Sequence, residues 1–547
     1  MKIYEIVIMC VASLLLSSCS NIAGGEDITK FSPDDTFQPP EELSLPIMSI
    51  CLSEDDCNKI HASRDYKAFA NCVILSSCNR DTLYEGEITI KTRGNSSWEK
   101  GFKKPYSISF PEKIKILNLY KGKKFILLSN CSEATHLRNA LAFDMAHRFG
   151  IAAPNYEFIR VFVNGDYRGL YQMTNKIEPN KAFLPIHNLE KENKRLNGER
   201  LRSLQVEERD QIYAYSLSHN PENITGGYII DHHGLSGHGA GKSCGFYSEN
   251  GQCVRLKSPQ NASFEEVKYL ASIYNRIERA LSDSMGIDPI SGKHYSELID
   301  IPSFISNYLI NECMKNHDSG RNSFMLVKDI NDEKIYASVI WDFDAWVPEF
   351  PNELIACARH QWNNGESSGG LFYYLWQHQE FRDNVRTKYL NEVHPYLDSL
   401  FQDGGRYDRL KRMLKCEADT DNERWNRWDG LYDCATDDLR SFLRERNSCL
   451  YWLWTTNPDS LICVHMTYEK DKFTTEIYGA RDKGVNLSDY DNRRGYVVSY
   501  HITGDERIIP NDTVFYKDAD ITMNMRLHTW WEIHMGRWKQ RIKKVLH

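Results

Sequence analysis

The apolar residues in the first half of the chain follow two different spacings. Between Leu45 and Phe110, short apolar runs alternate with polar turns, the pattern that β-strands separated by turns produce. Residues 137–150 instead place apolar side chains at helical spacing and end on a glycine, which predicts one helix. Two further apolar runs are joined by Asn164-Gly165-Asp166, the strongest short signal for a β-hairpin in the chain. The pattern predicts a β-rich region over residues 45–185.

A mainly helical region follows. Residues 186–225 are charged and irregular, and we expect them to be an insertion. Residues 226–455 return to short strands and then place apolar side chains at helical spacing. The apolar stretch Ala337–Trp341 interrupts these helices and predicts a strand that runs into an acidic turn. Residues 456–547 alternate again and predict a small β-rich appendix, so the whole chain is expected to be an α+β protein.

The N-terminus has the features of a lipoprotein signal peptide. Lys2 precedes an apolar run from Ile6 to Leu16, which is too short to span a bilayer. The run ends in Leu16-Ser17-Ser18-Cys19, a leucine and two small residues before a cysteine that would be acylated. A plain secretory signal with an incidental cysteine is the alternative. We expect a signal peptide over 1–18, a proline-rich tether over 19–44, and a lipid-anchored protein of the cell envelope, at the outer membrane or cell surface.

The composition limits the class of protein. Hydrophobic residues make up 41% and charged residues 26%, as in a globular chain. The net charge is −8 without a long basic run, which argues against nucleic acid as a partner, because a polyanionic backbone requires a positive surface. Aromatic residues reach 12%, which is enough for a large core or for a surface that binds carbohydrate or peptide.

The chain contains 15 cysteines, and export would permit them to form disulfides. Closely spaced cysteines are the best candidates for pairing: Cys51 with Cys57, Cys72 with Cys78, and Cys244 with Cys253. No C-x-x-C spacing occurs, so zinc ribbons and thioredoxin-like redox sites lack their motif.

A turn of small residues beside two lysines is the first candidate for a functional site. Residues 88–98 form a predicted strand and turn, and residues 102–110 form a returning strand that carries the two lysines. Backbone and hydroxyl donors of such a turn can bind a phosphate, which a lysine on the neighbouring strand would neutralise. Solvated lysines at the start of a strand are also common, so the pattern alone decides little. The predicted phosphate ligands are Arg93, Asn95, Ser96, Lys103 and Lys104.

Two acidic segments are the second candidate. An apolar helix runs out into a polar turn at Asp318, and the apolar stretch before residue 342 ends in Asp342 and Asp344. Such carboxylates suit Mg²⁺, which prefers hard oxygen ligands together with substrate phosphates. Taken alone, either segment is also compatible with a helix cap or a surface charge. Their order matches that of protein kinases, where a loop Asp accepts the proton of the acceptor hydroxyl and a later Asp-Phe binds magnesium.

Together these motifs resemble a known family. The series RGNSSW, KKPYSISF, LRNALAFDMAHRFG, VFVNGDYRGLYQMTNKIE, NECMKNHD and WDFD is similar to the CotH kinase family, whose founding members are spore coat proteins. The resemblance covers residues 45–455. It implies an atypical, bilobed, protein-kinase-like fold with a β-rich N-lobe and a mainly helical C-lobe. It also implies the use of ATP and Mg²⁺ or Mn²⁺ to phosphorylate Ser or Thr of extracytoplasmic proteins.

The resemblance assigns roles to individual residues. Asp318 would be the catalytic Asp. Asp342 would bind the metal, with Asp344 assisting. Lys104, or else Lys103, would contact the phosphates of the nucleotide.

The sequence departs from the family at several positions. Many relatives carry a metal-binding Asn five residues after the catalytic Asp, where this chain has Ser323, with Asn322 one position earlier. Glu is frequent in the family where this chain has Asn175 and Asp231. Two alternatives to a protein kinase therefore stay open: a non-catalytic adhesion or recognition protein on the same scaffold, and another ATP-dependent transferase that modifies proteins.

Overall fold

The computed structural model describes residues 45–527, with gaps at 78–79, 100–101, 233–242, 317, 321, 345–349, 362–366, 369, 426–430, 469–472, 491–495 and 506. The described residues form two compact units. The larger unit comprises residues 45–458 and 473–476, and the smaller unit comprises residues 459–468 and 477–527. No helix within these ranges is long and apolar enough to cross a membrane.

The larger unit begins with a closed β-barrel of seven strands. The strands are β1 (Ile47–Cys51), β2 (Ala68–Leu75), β3 (Thr82–Thr92), β4 (Tyr106–Ile114), β5 (Gly122–Leu128), β6 (Tyr156–Val163) and β7 (Asp166–Asn175). They lie in the order β1-β2-β3-β4-β5-β7-β6, and the barrel closes where β1 runs parallel to β6, with Ile47 opposite Arg160. A closed sheet turns alternate side chains towards its interior, which accounts for the period of two in the sequence.

The helix and the hairpin predicted within this region are confirmed. The barrel is accompanied by α1 (Glu54–Ala62), α2 (Ser96–Glu99) and α3 (Arg138–Arg148), the last of which is the helix expected near residues 137–150. Asn164 and Gly165 join β6 to β7 with φ values of +52° and +83°. Positive φ at both residues is what the favoured two-residue hairpin turn requires.

A second, six-stranded sheet follows the barrel. The helix α4 (Leu189–Asn197) precedes the strands β8 (Glu207–Arg209), β9 (Ile212–Ala214), β10 (Tyr228–His232), β11 (Gly245–Tyr247), β12 (Cys253–Ser258) and β13 (Met325–Lys328). Their order is β13-β10-β12-β11-β9-β8. The expectation that residues 186–225 are irregular is wrong for α4, β8 and β9. Asn188 caps α4 through Lys191 N–H (2.9 Å), and the buried Asn193 donates to Glu266 Oε2 (2.9 Å).

Helices dominate the rest of the larger unit, as their apolar spacing predicted. They are α5 (Phe264–Ser282), α6 (Tyr295–Leu298), α7 (Ile301–Cys313), α8 (Leu371–Gln377), α9 (Gln379–Lys388), α10 (His394–Phe401), α11 (Arg406–Arg424) and α12 (Tyr432–Thr455). The strands β14 (Glu353–Gln361) and β15 (Ser367–Ser368) lie between α7 and α8. Helices and several sheets together confirm the α+β class.

The smaller unit is β-rich, in agreement with the alternation after residue 456. It contains β16 (Leu461–Tyr468), the end of β17 (Phe473–Ala480), β18 (Val485–Asn486), β19 (Tyr496–Ile502), β20 (Ile508–Ile509), β21 (Val514–Phe515) and β22 (Ala519–Leu527). β22 pairs in parallel with β16 and antiparallel with β19. A separate short ladder joins β18 to β21.

The strand predicted at Ala337–Trp341 is not formed. Val339 and Asp342 have φ values of +90° and +69°, in the left-handed region that a β-strand does not contain. The chain is held by other groups instead. Asn307 Nδ2 donates to the Ala337 carbonyl (3.1 Å), and Ile340 N–H donates to the Ala152 carbonyl (3.1 Å). We call residues 337–344 the acidic strap, because Asp342 and Asp344 lie at its end.

The described cysteines form no disulfide. The predicted pairs Cys51–Cys57 and Cys244–Cys253 are wrong, and of the third pair Cys72 is a thiol while Cys78 lies outside the described residues. Cys51 is exposed whereas Cys57 is buried, so the two side chains do not share an environment. Burial raises the pKa of Cys57 to about 11, which keeps its thiol protonated.

Candidate active site

The start of helix α3 fixes the acidic strap. Phe343 N–H donates to Asn139 Oδ1 (2.8 Å), and the Phe343 carbonyl accepts from Arg138 Nε (2.9 Å). Arg138 also donates to the Met314 carbonyl (3.1 Å), just after α7. Both side chains from α3 are buried, so these bonds are shielded from water. Both the backbone N–H and the backbone carbonyl of Phe343, between Asp342 and Asp344, are therefore hydrogen-bonded to α3.

The two carboxylates of the strap share an unusual electrostatic environment. Burial, followed by the negative charges of Asp342 and Glu133, raises the pKa of Asp344 to about 8. Ser323 Oγ donates to Asp342 Oδ2 (2.8 Å). Asp342 and Asp344 in turn favour the charged form of the Arg93 guanidinium, whose pKa burial lowers. A buried carboxyl group with a raised pKa, beside a second carboxylate, forms a site at which a bound cation would displace a proton.

The loop after α7 carries Asp318. Asn322 Nδ2 donates to Asp318 Oδ1 (3.1 Å), and Asn322 N–H donates to the Asp318 carbonyl (2.9 Å). Asp318 N–H donates to Asn316 Oδ1 (3.2 Å). Asp318 is only partly buried, so its carboxylate is not sealed in the core. A carboxylate in such a position can accept a proton from a neighbouring hydroxyl.

A chain of buried asparagines connects this loop to the acidic strap. Asn316 Nδ2 donates to Asn311 Oδ1 (2.9 Å), and Asn311 Nδ2 donates to Asn307 Oδ1 (2.7 Å). Asn307 completes the chain through its bond to the Ala337 carbonyl (3.1 Å). Because each amide uses both its donor and its acceptor, the chain fixes the distance between loop and strap. We call these three residues the asparagine relay.

His232 supports the loop from the other direction. Its Nδ1 lies 2.9 Å from the Gly320 carbonyl, and its Nε2 lies 2.7 Å from the Tyr274 hydroxyl. Burial lowers the pKa of His232 to about 4, so the ring is neutral, with Nδ1 donating to Gly320 and Nε2 accepting from Tyr274. The histidine at the end of β10 therefore fixes the loop two residues after Asp318.

A basic cleft lies against the outer face of the barrel. Its volume is about 860 Å³, within the range of small-molecule sites. Thr89, Ser107, Ser109 and Ile126, on the neighbouring strands β3, β4 and β5, line it from the barrel side. Trp341, one residue before Asp342, also lines it. The charged residues that line the cleft are Arg64, Asp65, Lys67, Lys91, Arg93, Lys124, Lys176, Glu190, Lys194 and Lys257. Eight cations against two carboxylates make the cleft suited to a polyanion.

Two predicted phosphate ligands, Arg93 and Asn95, are in the wall of this cleft. The guanidinium of Arg93 lies 5.7 Å from the ring centroid of Trp341, in the cation–π arrangement. Ser96 is the first residue of α2, and its side chain lies outside the described part of the chain. Cys19 also lies outside the described residues.

The other two, Lys103 and Lys104, are engaged elsewhere, which argues against the predicted contact with phosphate. Lys103 Nζ is buried, 2.6 Å from Asp421 Oδ1 of α11, and donates to the Leu170 carbonyl (2.5 Å). Lys104 Nζ donates to the Trp98 carbonyl (2.5 Å) and lies 4.4 Å from the centroid of the Trp98 ring. Neither lysine lines the cleft.

Two other lysines, Lys91 and Lys257, line the cleft close to Arg93. Lys257 of β12 is close enough to Asp231 (4.0 Å) and Asp342 for both to favour its charged form, although burial lowers its pKa. Lys91 is the last residue but one of β3, and Arg93 directly follows the strand, so extending the period of the strand by one residue places both on one face. That spacing was a usable signal for Lys91, whereas only the tertiary fold brings Lys257 to the site.

The residues at the strap fit a hard divalent cation. No group of three or more His, Cys, Asp or Glu side chains is arranged to hold a metal within the described ranges. Mg²⁺ does not need such a group, because it is commonly bound by one or two carboxylates together with phosphate oxygens and water. Asp342 and Asp344, with the Ser323 hydroxyl beside Asp342, supply that donor set.

The family model described as CotH kinase protein matches residues 90–450, which is more than half of the 547 residues. The chain belongs to the CotH kinase family. The match begins within β3 and ends within α12, so it contains Arg93, Asp318 and the acidic strap, and leaves the smaller unit outside. A comparison with curated proteins finds no match. CotH membership indicates a kinase-type transferase, and it confirms the resemblance drawn from the sequence motifs.

The positions at which the chain departs from the CotH pattern have structural roles here. Asn175, the last residue of β7, bonds the backbone of Tyr120 through its side chain. The Asn175 side chain accepts from the Tyr120 N–H (2.9 Å) and donates to the Tyr120 carbonyl (2.8 Å). Asp231 is buried and accepts from Arg255 Nη2 (2.5 Å), with Lys257 on its other side. Ser323 keeps a hydrogen bond to Asp342 in place of the more frequent Asn.

Proposed function

We propose that this protein is an ATP- and divalent-metal-dependent kinase that phosphorylates Ser or Thr of proteins outside the cytoplasm. The observation that supports it most is the meeting of the basic cleft with the acidic strap at Arg93 and Trp341. A triphosphate needs cations, and a metal needs the carboxylates next to them. The closed barrel and the mainly helical part after it would then act as the two lobes of an atypical kinase.

Each part of the site would have its own task. Arg93, Asn95 and Lys257 would bind the phosphates of the nucleotide in the cleft. Asp342 and Asp344 would hold Mg²⁺ or Mn²⁺, which neutralises charge on phosphate oxygens when bound.

Asp318 would accept the proton of the acceptor hydroxyl. Phosphoryl transfer depends mainly on positioning and on neutralisation of charge. The structure supports this assignment through the bonds that hold Asp318 in place, from Asn322 Nδ2 (3.1 Å) and to Asn316 Oδ1 (3.2 Å). Asn322 would thus orient the base instead of binding the metal, which the sequence had suggested for it.

Two substitutions and one control test the assignment in the full-length protein. Asp342→Asn should abolish both the metal-dependent rise of the melting temperature with ATP and the transfer of labelled phosphate. Asp318→Asn should keep the ATP-dependent rise and lower turnover by about 100-fold or more, as expected on loss of a general base. Asp81→Asn, at an exposed barrel carboxylate, should behave like the wild type. Wild-type transfer by folded Asp318→Asn and Asp342→Asn variants would exclude the kinase assignment of these residues.

We also propose that the protein is anchored in the cell envelope by a lipid on Cys19. The support is the Leu16-Ser17-Ser18-Cys19 sequence at the end of an apolar run. The wild type should partition with membranes and incorporate labelled fatty acid, and Cys19→Ala should do neither. Equal lipid labelling of the two proteins would contradict the proposal.

A further inference from the structure

Apart from Lys257, which lies near Asp231 and Asp342, the cations of the basic cleft fall into two groups with different surroundings. The β5-side cluster consists of Lys124, Lys176 and Lys194, on or near β5, β7 and α4. The β3-side cluster consists of Arg64, Lys67, Lys91 and Arg93, on or next to β2 and β3. The clusters differ in how far carboxylates of the protein neutralise them.

The β5-side cluster is largely neutralised, because two carboxylates of the protein pair with its three lysines. Lys124 and Lys176 lie 3.2 Å and 3.6 Å from the same oxygen of Glu178. Lys194 pairs with Glu190, one helical turn earlier on α4. These lysines therefore have little need of an external anion.

The β3-side cluster is not neutralised in this way. Lys67 directly precedes β2, whose register on β3 pairs Ala68 with Ile90, so continuing the register by one position brings Lys67 towards Lys91. Like charges directly opposite one another on adjacent strands are destabilising. Among the described residues, no ion pair joins either lysine to a carboxylate of the protein. Burial and then the charges of Lys67, Arg93 and Arg64 lower the pKa of Lys91, while Asp65 raises it.

Arg64 gives this cluster a fixed geometry. Its Nη1 donates to the Gly94 carbonyl (2.6 Å) and to Asn95 Oδ1 (2.9 Å). Its guanidinium also lies 5.4 Å from the centroid of the Trp98 ring. The arginine is held in place against the turn after β3, with its charge available to the cleft. Four cations beside one carboxylate thus form a prearranged site for negative charge in a chain whose net charge is −8.

The proposed nucleotide does not account for all of these cations. ATP bound with one divalent cation has a small net charge, and Arg93 and Lys257 are the cations that sense Asp342 directly. Lys91 is two residues before Arg93, which directly follows β3, so the two lie about 7 Å apart at the rise of a strand. Lys67 lies beside Lys91. A second anionic group, further from the metal, is needed to neutralise them.

We propose that Arg64, Lys67 and Lys91 bind Asp or Glu side chains of the acceptor protein, so that the phosphorylated Ser or Thr lies in an acidic segment. This inference rests on the proposed kinase function and names its substrate class. Electrostatic recognition of this kind sets specificity and speeds encounter between the partners. It should therefore weaken as salt is added, because the cations are partly exposed.

The test uses short fluorescent peptides with one Ser flanked either by Glu or by Gln. Fluorescence anisotropy should show the Glu peptide binding the full-length protein about tenfold more tightly, a factor that corresponds to about 1.4 kcal/mol. The double variant Lys67→Gln/Lys91→Gln should lose this preference and keep the wild-type affinity for ATP with Mg²⁺. The matched double variant Lys124→Gln/Lys194→Gln removes the same charge from the neutralised cluster and should keep the preference.

Each other outcome overturns a defined part of the argument. Equal binding of the two peptides, or a lower ATP affinity with unchanged peptide preference in Lys67→Gln/Lys91→Gln, would refute the acidic subsite. In the second case the lysines belong to the nucleotide site. Selective binding of the Glu peptide without any transfer of phosphate would refute the kinase function and leave an acidic-segment binding site. Melting temperatures of both double variants establish that each is folded.

Discussion

Removing the central amide of the asparagine relay should separate the loop that carries Asp318 from the acidic strap. In the wild type, Asn311 Nδ2 donates to Asn307 Oδ1 (2.7 Å) and to the Asn307 carbonyl (2.9 Å), and Asn311 Oδ1 accepts from Asn316 (2.9 Å). Asn311→Ala deletes these three bonds. It leaves a buried donor on Asn316 and a buried acceptor on Asn307, each of which costs about 1–3 kcal/mol without a partner.

The size of the effect follows from the space around the relay. A cavity of about 10 Å³, too small for a well-bound water, already lies beside Asn307, Asn311 and Asn316. Loss of the Asn311 side chain enlarges it enough for water to bind and to recover part of the cost. We therefore expect a loss of about 2–4 kcal/mol in the free energy of unfolding, in the lower half of the full range.

Two measurements follow from this. The melting temperature of Asn311→Ala should fall by about 2–5 °C. In the folded variant, turnover should fall about tenfold or more while the KM for ATP changes little, because Asp318 is displaced and the cleft is not. Asn220→Ala, which removes one exposed bond to Glu265 (3.1 Å), should change stability by about 0.5 kcal/mol at most. An Asn311→Ala variant with wild-type melting and turnover would show that the relay does not hold the two segments together.

Two further predictions concern buried charges. Lys103→Met should destabilise the protein by about 3–5 kcal/mol, because it leaves the buried Asp421 without its cation. The double variant Lys103→Met/Asp421→Asn should recover part of this loss of stability. A loss of ATP affinity at unchanged stability would instead show that Lys103 is a phosphate ligand. Burial raises the pKa of Glu278 from 4.5 to about 8, so the folded state keeps a proton that the unfolded state loses. The resulting stability is complete below about pH 4.5 and is lost as the pH rises to 8, by at most about 1.4 kcal/mol per unit. Glu278→Gln should flatten this slope in urea titrations at several pH values, and an unchanged slope would contradict the assignment.

Local patterns in the sequence predicted the local structure well. The hairpin at residues 164–166 and the helix near residues 137–150 depend on neighbours in the chain, and both form. Arg93, predicted as a phosphate ligand from the turn that follows its strand, lies in the wall of the basic cleft. The irregular conformation of the acidic strap was not predicted. Asn139, Asn307 and Ala152 hold it, and these residues lie far away in the sequence.

Lys103 shows why the rest of the site could not be predicted. Its partner Asp421 comes from a helix more than three hundred residues later, and no spacing in the sequence indicates that pairing. Lys257, by contrast, was not predicted as a ligand although it lines the cleft. It reaches the cleft only because the tertiary fold brings β12 to the barrel. Periodicity assigns residues to a face of a strand, and the packing of distant elements then decides which of them meet a ligand.

The closure of the barrel through β1 has a practical consequence for shortened forms of this protein. β1 contributes only five residues, yet it pairs with β2 on one side and with β6 on the other. A shortened version that lacks residues 1–44 must therefore begin before Ile47. Starting after Cys51 would expose unpaired N–H and C=O groups along both β2 and β6 of every molecule. Two such strands on one molecule allow end-to-end pairing between copies. The shortened protein would therefore form fibrous or amorphous aggregates even though Asp318 and the acidic strap are present.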